Sequence, residues 1–131
     1  MNKKIWNTSG VKVSDEISSF LAGEDIELDN SIFIYDIDAT IAHIKGLQSI
    51  RILKKNEFNR LNKSLKELRK KFLEGSFKLT KKYEDCHSAI EFYLTKELGD
   101  LGKKVHTGRS RNDQVLVAMR LFAKNNLQDF K

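Results

Sequence analysis

Residues 56–75 read NEFNRLNKSLKELRKKFLEG, and this stretch decides the fold class of the chain. Its large apolar residues recur at spacings of 3, 4, 3 and 4, and they are Phe58, Leu61, Leu65, Leu68 and Phe72. This spacing places them on one face of an α-helix and leaves the basic residues on the other. Asn56 is the predicted N-cap and Gly75 the predicted end. The stretch is therefore predicted to be an amphipathic helix.

Helical spacing continues on both sides of this segment. Residues 29–53 and residues 83–98 repeat the pattern through Ile34, Ile37, Ile41, Ile44 and Leu47, and through Cys86, Ile90, Leu94 and Leu98. Ala39, Ala42 and Gly46 form a stripe of small residues on which another helix could pack closely. The first of these two segments is rich in Ile, which favours strands, but the repeated spacing outweighs that preference.

The remaining segments complete the predicted architecture. A short helix is predicted over residues 14–23, a polar loop over 99–108, and a last helix over 110–127. Apolar residues surround much of that last helix, so its apolar surface is too wide for one partner. The sequence thus predicts an all-α fold, with a short extended piece near the N-terminus.

Length and composition exclude several classes of protein. A chain of 131 residues with 40% hydrophobic and 32% charged residues is typical of one soluble domain. The lone Cys86 allows no disulfide within the chain, and together with His43, His87 and His106 it gives little support for zinc. No segment approaches the roughly 20 apolar residues of a membrane span, and no secretory signal opens the chain. We expect a cytoplasmic protein without metal, cofactor or membrane partner.

Charge is concentrated in one part of the chain. Residues 51–82 contain 12 Lys and Arg and 3 Asp and Glu, against a net charge of +6 for the whole chain. This basic block is typical of a solvated helix face. The alternative is a nucleic-acid surface, for which affinity would depend steeply on salt.

Residues 106–114, HTGRSRNDQ, are the most distinctive segment. Ser110 and Asp113 have the spacing of a capping box at the start of the last helix. Beyond that structural role, five neighbouring residues offer hydrogen-bond donors at a helix N-terminus, namely Thr107, Arg109, Ser110, Arg111 and Asn112. We interpret them as an anion-binding site. Arginines that are solvated or paired with nearby carboxylates are the alternative.

Asp85 and His87 form a second candidate pair, two residues apart at a predicted helix start. One interpretation is that the carboxylate orients the imidazole in an active site. The other is an Asp N-cap beside an ordinary, partly buried histidine, and on the residues alone this second interpretation is favoured.

The motifs resemble those of the argininosuccinate lyase family, within the fumarase/aspartase superfamily. HTGRSRNDQ matches the family signature, and residues 84–91 (EDCHSAIE) resemble its E-D-x-H segment. Residues 35–43, 75–79 and 4–6 resemble an earlier helix, a turn and the K-L-W opening. After Trp6 the chain reads NTSG where many members have G-G-R-F, which bears on substrate contacts from that end.

This resemblance implies a function. Family members cleave argininosuccinate to arginine and fumarate, the last step of arginine biosynthesis. A base removes a proton beside a carboxylate, and an acid assists departure of the guanidinium nitrogen. The residues matching Ser110, Arg111 and Asn112 contact the substrate, with Thr107 and Arg109 beside them. The position of His87 lines the active site, and Asp85 is expected to orient it.

The resemblance also implies an incomplete site. Residues 1–109 correspond to an N-terminal helical domain, and residues 110–131 to the start of a central helical bundle. The family's Thr-His motif and its mobile serine loop are not found in the sequence. Members are homotetramers whose sites combine segments of three subunits, so the 131 residues alone are predicted to be inactive. The alternatives are a lyase relative without catalysis and a basic helical module that binds nucleic acid. On the lyase interpretation no nucleic-acid partner is expected.

Overall fold

The computed structural model describes residues 25–128. Four α-helices occur there: α1 (Asp25–Ser49), α2 (Lys55–Leu73), α3 (Cys86–Leu98) and α4 (Arg111–Gln128). A 3₁₀ helix, Gly99–His106, connects α3 to α4. No strand is present within residues 25–128, which confirms the all-α prediction. The predicted helix at 14–23, the extended N-terminal piece and the NTSG segment lie outside the described residues.

The hydrophobic core lies where α1, α2, α3 and the 3₁₀ helix meet. The predicted face of α2 is buried at Leu61, Leu65 and Leu68, while its two phenylalanines are half-buried. The core face of α1 follows Phe33, Ile37, Ile44 and Leu47. Ile34 and Ile41, predicted for this face, are only half-buried. Phe33 is fully buried instead, and its ring contacts Phe72 and Phe77.

The small-residue stripe of α1 is not a helix contact along its whole length. Ala39 is buried, but Ala42 and Gly46 are exposed. A Cβ added at Gly46 would meet no atom within 4 Å among the described residues. The prediction of close helix packing on this stripe is therefore wrong at its C-terminal end, within the part of the chain that the structure describes.

The helix ends show one error in the predicted caps. The N-cap of α2 is Lys54 and not Asn56, because the Glu57 carboxylate accepts the Lys54 backbone N–H at 2.8 Å. Asn56 lies inside the first turn, where its Oδ1 accepts the Glu57 N–H at 2.8 Å. Gly75 follows the helix with φ 76°, as expected for a glycine that ends a helix.

The segment predicted as a polar loop is the 3₁₀ helix. It buries Leu101, Gly102 and Val105 against α3, so hydrophobic contacts hold it in place. Gly102 lies so close to the backbone of α3 that only a residue without Cβ fits there. This packing fixes the position of His106 at the end of the 3₁₀ helix.

Helix α4 is the last element of the described residues and packs against α1. Only Gln114 and Ala118 of α4 are buried. Several large apolar side chains point outward instead, namely Val115, Leu116, Val117 and Met119. This exposure agrees with the wide apolar surface predicted for the last helix. None of the described helices is long and apolar enough to cross a membrane.

Candidate functional site

Two histidines form the centre of the site. His87 lies in the first turn of α3, and His106 ends the 3₁₀ helix that follows. Their imidazole rings stack with centroids 3.6 Å apart and 23° between the planes. His106 Nε2 also lies 3.3 Å from the backbone carbonyl oxygen of His87. The packing of the 3₁₀ helix on α3 thus brings the imidazoles of the two candidate motifs into contact.

A buried polar chain reaches His87 from α1 through α4. The side-chain nitrogen of Gln114 donates to both carboxylate oxygens of Asp36, at 2.7 and 2.8 Å. The amide oxygen of Gln114 contacts Nδ1 of His87. Asp36 and Gln114 are 2% and 0% exposed, so these contacts are shielded from water. Three helices therefore contribute to the position of one imidazole.

Asp36 and Gln114 were not predicted to belong to the site, although Gln114 ends the distinctive motif. A signal was present: Asp36 and Thr40 fall on the buried face of α1, between Phe33 and Ile44. Polar side chains on such a face need buried hydrogen-bond partners. The sequence does not say which residues those partners are.

Arg109 points into the structure and not toward solvent. Its Nη2 donates to the Thr40 hydroxyl at 2.9 Å and lies 3.1 Å from Nδ1 of His106. Burial lowers the pKa of this guanidinium, and the nearby charge of Asp36 counteracts that effect. Arg109 thus connects α1 to the 3₁₀ helix through its contacts with Thr40 and His106.

Arg111 is paired with carboxylates at the start of α3. Its Nη1 lies 3.1 Å from Asp85 and 3.6 Å from Glu84. Asp85 is also the N-cap of α3, since one of its oxygens accepts the Ser88 N–H at 2.8 Å and the Ser88 hydroxyl at 2.6 Å. Asp85 makes no hydrogen bond to His87 within residues 25–128, and its charge acts on the imidazole by raising the His87 pKa. Its role in orienting His87 stays a prediction. Both carboxylate oxygens are engaged elsewhere, and Gln114 contacts the imidazole instead.

The start of α4 has the capping box that the sequence predicts. The Ser110 hydroxyl accepts the Asp113 N–H at 3.2 Å, and the Asp113 carboxylate accepts the Ser110 N–H at 3.0 Å. Asn112 is exposed in the same turn. Thr107, also exposed, donates its hydroxyl proton to the Lys104 carbonyl at 2.8 Å, while its own carbonyl oxygen lies 2.9 Å from Nε2 of His43.

The five predicted anion-binding residues are thus neighbours in the chain but differ in their surroundings. Ser110, Asn112 and Thr107 lie at the exposed start of α4. Arg111 is held beside them by carboxylates, and Arg109 is directed inward. A ligand at the helix start would meet small polar donors first.

Burial sets the protonation states of the inner groups. It raises the pKa of Asp36 from 3.8 to about 7, although the Gln114 hydrogen bond and the Arg109 charge act in the opposite direction. Burial lowers the pKa of His106 from 6.5 to about 3, and the charges of His87 and Arg109 lower it further. The pKa of His87 is also lowered, mainly by burial. Both stacked imidazoles are therefore neutral at physiological pH.

Potential ligand atoms of His87, Glu91 and His106 all lie within 4.8 Å of one another. The stacked rings do not suit one shared ion, because an ion in the plane of either imidazole would lie well outside the plane of the other. Nδ1 of His106 is in addition engaged by Arg109. In this arrangement the group is a hydrogen-bonded histidine pair and not a preformed metal centre.

Comparison with known proteins gives consistent matches. The family described as lyase matches residues 14–130 of the chain. A protein of Xanthomonas euvesicatoria pv. vesicatoria named argininosuccinate lyase is 53% identical over 128 residues, which are 98% of this chain and 30% of that relative. Argininosuccinate lyase of Xanthomonas axonopodis pv. citri has the same identity and coverage.

A third relative extends the match to another genus. Argininosuccinate lyase of Stenotrophomonas maltophilia is 52% identical over 123 residues, which are 94% of this chain and 28% of that relative. The chain thus spans somewhat less than a third of the length of the curated relatives that it matches. No solved structure matches the chain.

Proposed function

The chain belongs to the lyase family, and from this premise we propose that it forms part of an argininosuccinate lyase, which cleaves argininosuccinate to arginine and fumarate. The observation that carries the proposal is the junction of two motifs: HTGRSRNDQ packs against the first turn of α3, so His87 contacts both His106 and Gln114. This resemblance, seen first in sequence, is supported by relatives that bear the name argininosuccinate lyase.

The polar start of α4 is the proposed binding site for the substrate carboxylates. Ser110 and Asn112 offer neutral donors, and the helix dipole favours an anion at this end. Arg111 supplies positive charge from a guanidinium that Asp85 already holds in place. Thr107 and Arg109 lie beside the start of α4, and Nη2 of Arg109 contacts Nδ1 of His106.

The proposed reaction is an elimination across one carbon–carbon bond. A base takes a proton from the carbon beside a carboxylate, and negative charge develops on that carboxylate. The double bond of fumarate forms as the carbon–nitrogen bond breaks, and an acid protonates the departing guanidinium nitrogen of arginine. Donors already in position stabilise the developing charge, because they need no reorganisation during the reaction. His87 is a supporting residue of this site, with Asp85 holding Arg111.

We further propose that the 131 residues supply one part of a shared site. In this proposal residues 1–109 form a helical domain and residues 110–131 begin a central bundle, in a cytoplasmic homotetramer that needs no cofactor, membrane or nucleic acid. The general base and acid come from elsewhere in the assembly, so the 131 residues alone release no fumarate.

The test is fumarate release from argininosuccinate, followed by ultraviolet absorbance. The chain of 131 residues is compared with the product of the same gene read to its stop codon. We expect activity only in the latter. Fumarate from the 131 residues would refute the shared site, and none from either protein would refute the lyase function in favour of a relative without catalysis.

A pair of asparagine variants tests the substrate site itself. In the active protein, Asn112→Ala is expected to lower kcat/KM by about 10- to 100-fold, the effect of one hydrogen bond to a charged group. Asn125→Ala is the matched control, because Asn125 is exposed near the other end of the same helix. Equal kcat/KM for the two variants would contradict the proposed role of Asn112.

A further inference from the structure

The buried chain Asp36–Gln114–His87 determines where the imidazole proton lies. A carboxylate can only accept hydrogen bonds, so the donor nitrogen of the Gln114 amide must face Asp36, as the two bonds of 2.7 and 2.8 Å show. The amide oxygen then faces His87. Because a carbonyl oxygen also only accepts, Nδ1 of His87 must carry the proton.

We propose that Asp36 and Gln114 are positioning residues that hold His87 as the Nδ1–H tautomer, so that Nε2 keeps its lone pair for the active site. Within residues 25–128, Nε2 of His87 has no hydrogen-bond partner. Its lone pair can accept a proton or a hydrogen bond from a ligand. This use of Nε2 rests on the proposed lyase function, whereas the tautomer itself does not.

The other two histidines are held in the opposite tautomer. Arg109 can only donate, so Nδ1 of His106 accepts a hydrogen bond from its Nη2 at 3.1 Å, and Nε2–H of His106 faces the His87 carbonyl. His43 places Nε2 2.9 Å from the Thr107 carbonyl and donates there. The chain has three histidines in total. His87 is therefore expected to be the single Nδ1–H tautomer among them.

The role of Asp36 follows from the shape of the Gln114 amide, whose oxygen and NH₂ group are similar in size and can exchange places by rotation. Without a carboxylate beside it, the Gln114 side chain can turn so that its NH₂ group faces His87, and Nδ1 would then accept. The Arg109 charge near Asp36 favours the ionised carboxylate, which keeps the amide in one orientation. At pH 8 Asp36 is ionised and His87 is neutral, because their pKa values lie at about 7 and below 6.5.

The direct test is nitrogen NMR of the 131-residue chain at pH 8, with ¹⁵N-labelled histidine. Protonated and unprotonated ring nitrogens resonate far apart, so each tautomer is read from the spectrum. The signals of His87 are assigned by their loss in His87→Gln. We expect one Nδ1–H histidine and two Nε2–H histidines, with His87 the former. A His87 that is protonated on Nε2 in the wild-type chain would overturn the proposal.

Asp36→Asn tests the positioning role. We expect the single tautomer of His87 to become a mixture, because an asparagine can both donate to and accept from Gln114. Asp38→Asn is the matched control: it makes the same change two residues away, at an exposed carboxylate paired with Arg69 at 3.1 Å. An unchanged His87 tautomer in Asp36→Asn would show that Asp36 does not position it. If that variant fails to fold, the wild-type spectrum still decides the tautomer.

Kinetics of the longer gene product separate this inference from the lyase function. Asp36→Asn is expected to lower kcat/KM by about two- to tenfold, the factor by which the competent tautomer is depleted, and to shift the pH profile, with Asp38→Asn unchanged. If the wild type releases no fumarate while His87 is still Nδ1–H, the lyase function fails and the positioning stands. If fumarate forms and Asp36→Asn has wild-type kinetics, the positioning role fails alone.

Discussion

Among the glycines of residues 25–128, Gly102 is the one whose replacement by alanine should destabilise the chain most. A Cβ at this position would lie 2.4 Å from the carbonyl carbon of Leu94, 2.4 Å from the Thr95 nitrogen and 2.6 Å from the Leu94 carbonyl oxygen. Real Cβ atoms essentially never approach below 3.0 Å. The clashing atoms are backbone atoms of α3, so no side-chain rotation relieves the overlap.

The whole 3₁₀ helix must then move away from α3. Inserting a group into a packed interior costs about 1–3 kcal/mol, and we expect the upper end of that range here because backbone must shift. Leu101 and Val105 would lose part of their burial in the same movement. His106 lies on the moving segment, so its ring should also leave the ring of His87, now 3.6 Å away.

Gly46→Ala provides the control for this substitution. It adds the same methyl group within α1, where the new Cβ would meet no atom of residues 25–128 within 4 Å apart from its chain neighbours and the backbone of its own helix. It also replaces glycine by a better helix former. A gain of about 1 kcal/mol is expected. Urea unfolding followed by far-ultraviolet circular dichroism measures both variants. If Gly102→Ala changes the free energy of unfolding by less than about 0.5 kcal/mol, the close contact between the 3₁₀ helix and α3 is refuted.

Three further outcomes are expected. Ser110→Ala should cost about 1 kcal/mol of unfolding free energy by removing the α4 cap, whereas the exposed Asn112→Ala should cost less than about 0.5 kcal/mol; equal losses in urea unfolding would contradict the capping box. Burial raises the pKa of Asp36 from 3.8 to about 7, so the folded chain holds a proton that the unfolded chain releases. The free energy of unfolding due to this group is thus present below pH 3.8 and is lost as pH rises through about 7, by at most about 4 kcal/mol. The melting temperature of the wild type should fall over this pH range, and that of Asp36→Asn should lack this fall. Cys86 is 3% exposed and burial raises its thiol pKa, so Ellman's reagent should label it only as fast as the structure opens; rapid labelling of the folded chain would contradict its burial.

The helices could be predicted from the sequence because their signals are local. In α2 the spacing of Leu61, Leu65 and Leu68 defines the buried face without reference to any other segment. In α1 the spacing predicts the helix but only part of its buried face. Phe33 competes with Ile34 for the core, and the outcome depends on the aromatic rings of Phe72 and Phe77, which come from elsewhere in the chain.

In the candidate site, too, the local contacts could be predicted from the sequence and the contacts between distant residues could not. The Ser110–Asp113 capping box joins residues three apart, so its spacing alone predicts it. The bonds from Gln114 reach 78 positions back to Asp36 and 27 positions back to His87. Spacing carries no information about such partners. For Asp85, spacing left two local interpretations open, and the contacts of Ser88 and Arg111 show the N-cap and an ion pair.

The side-chain amide of Gln114, which sets the His87 tautomer, also attaches α4 to the rest of the structure. Its buried residues are only Gln114 and Ala118, while its larger aliphatic side chains face outward and Phe122 contacts the edge of Tyr35. Burying a hydrogen-bonded amide contributes less to stability than burying a leucine, but it demands one orientation. The Gln114–Asp36 contact thus fixes the register of α4 on α1, although it stabilises the packing of the two helices less than an apolar contact would. A helix shifted by one residue would leave Asp36 buried without a donor, and this penalty keeps HTGRSRNDQ aligned with His87.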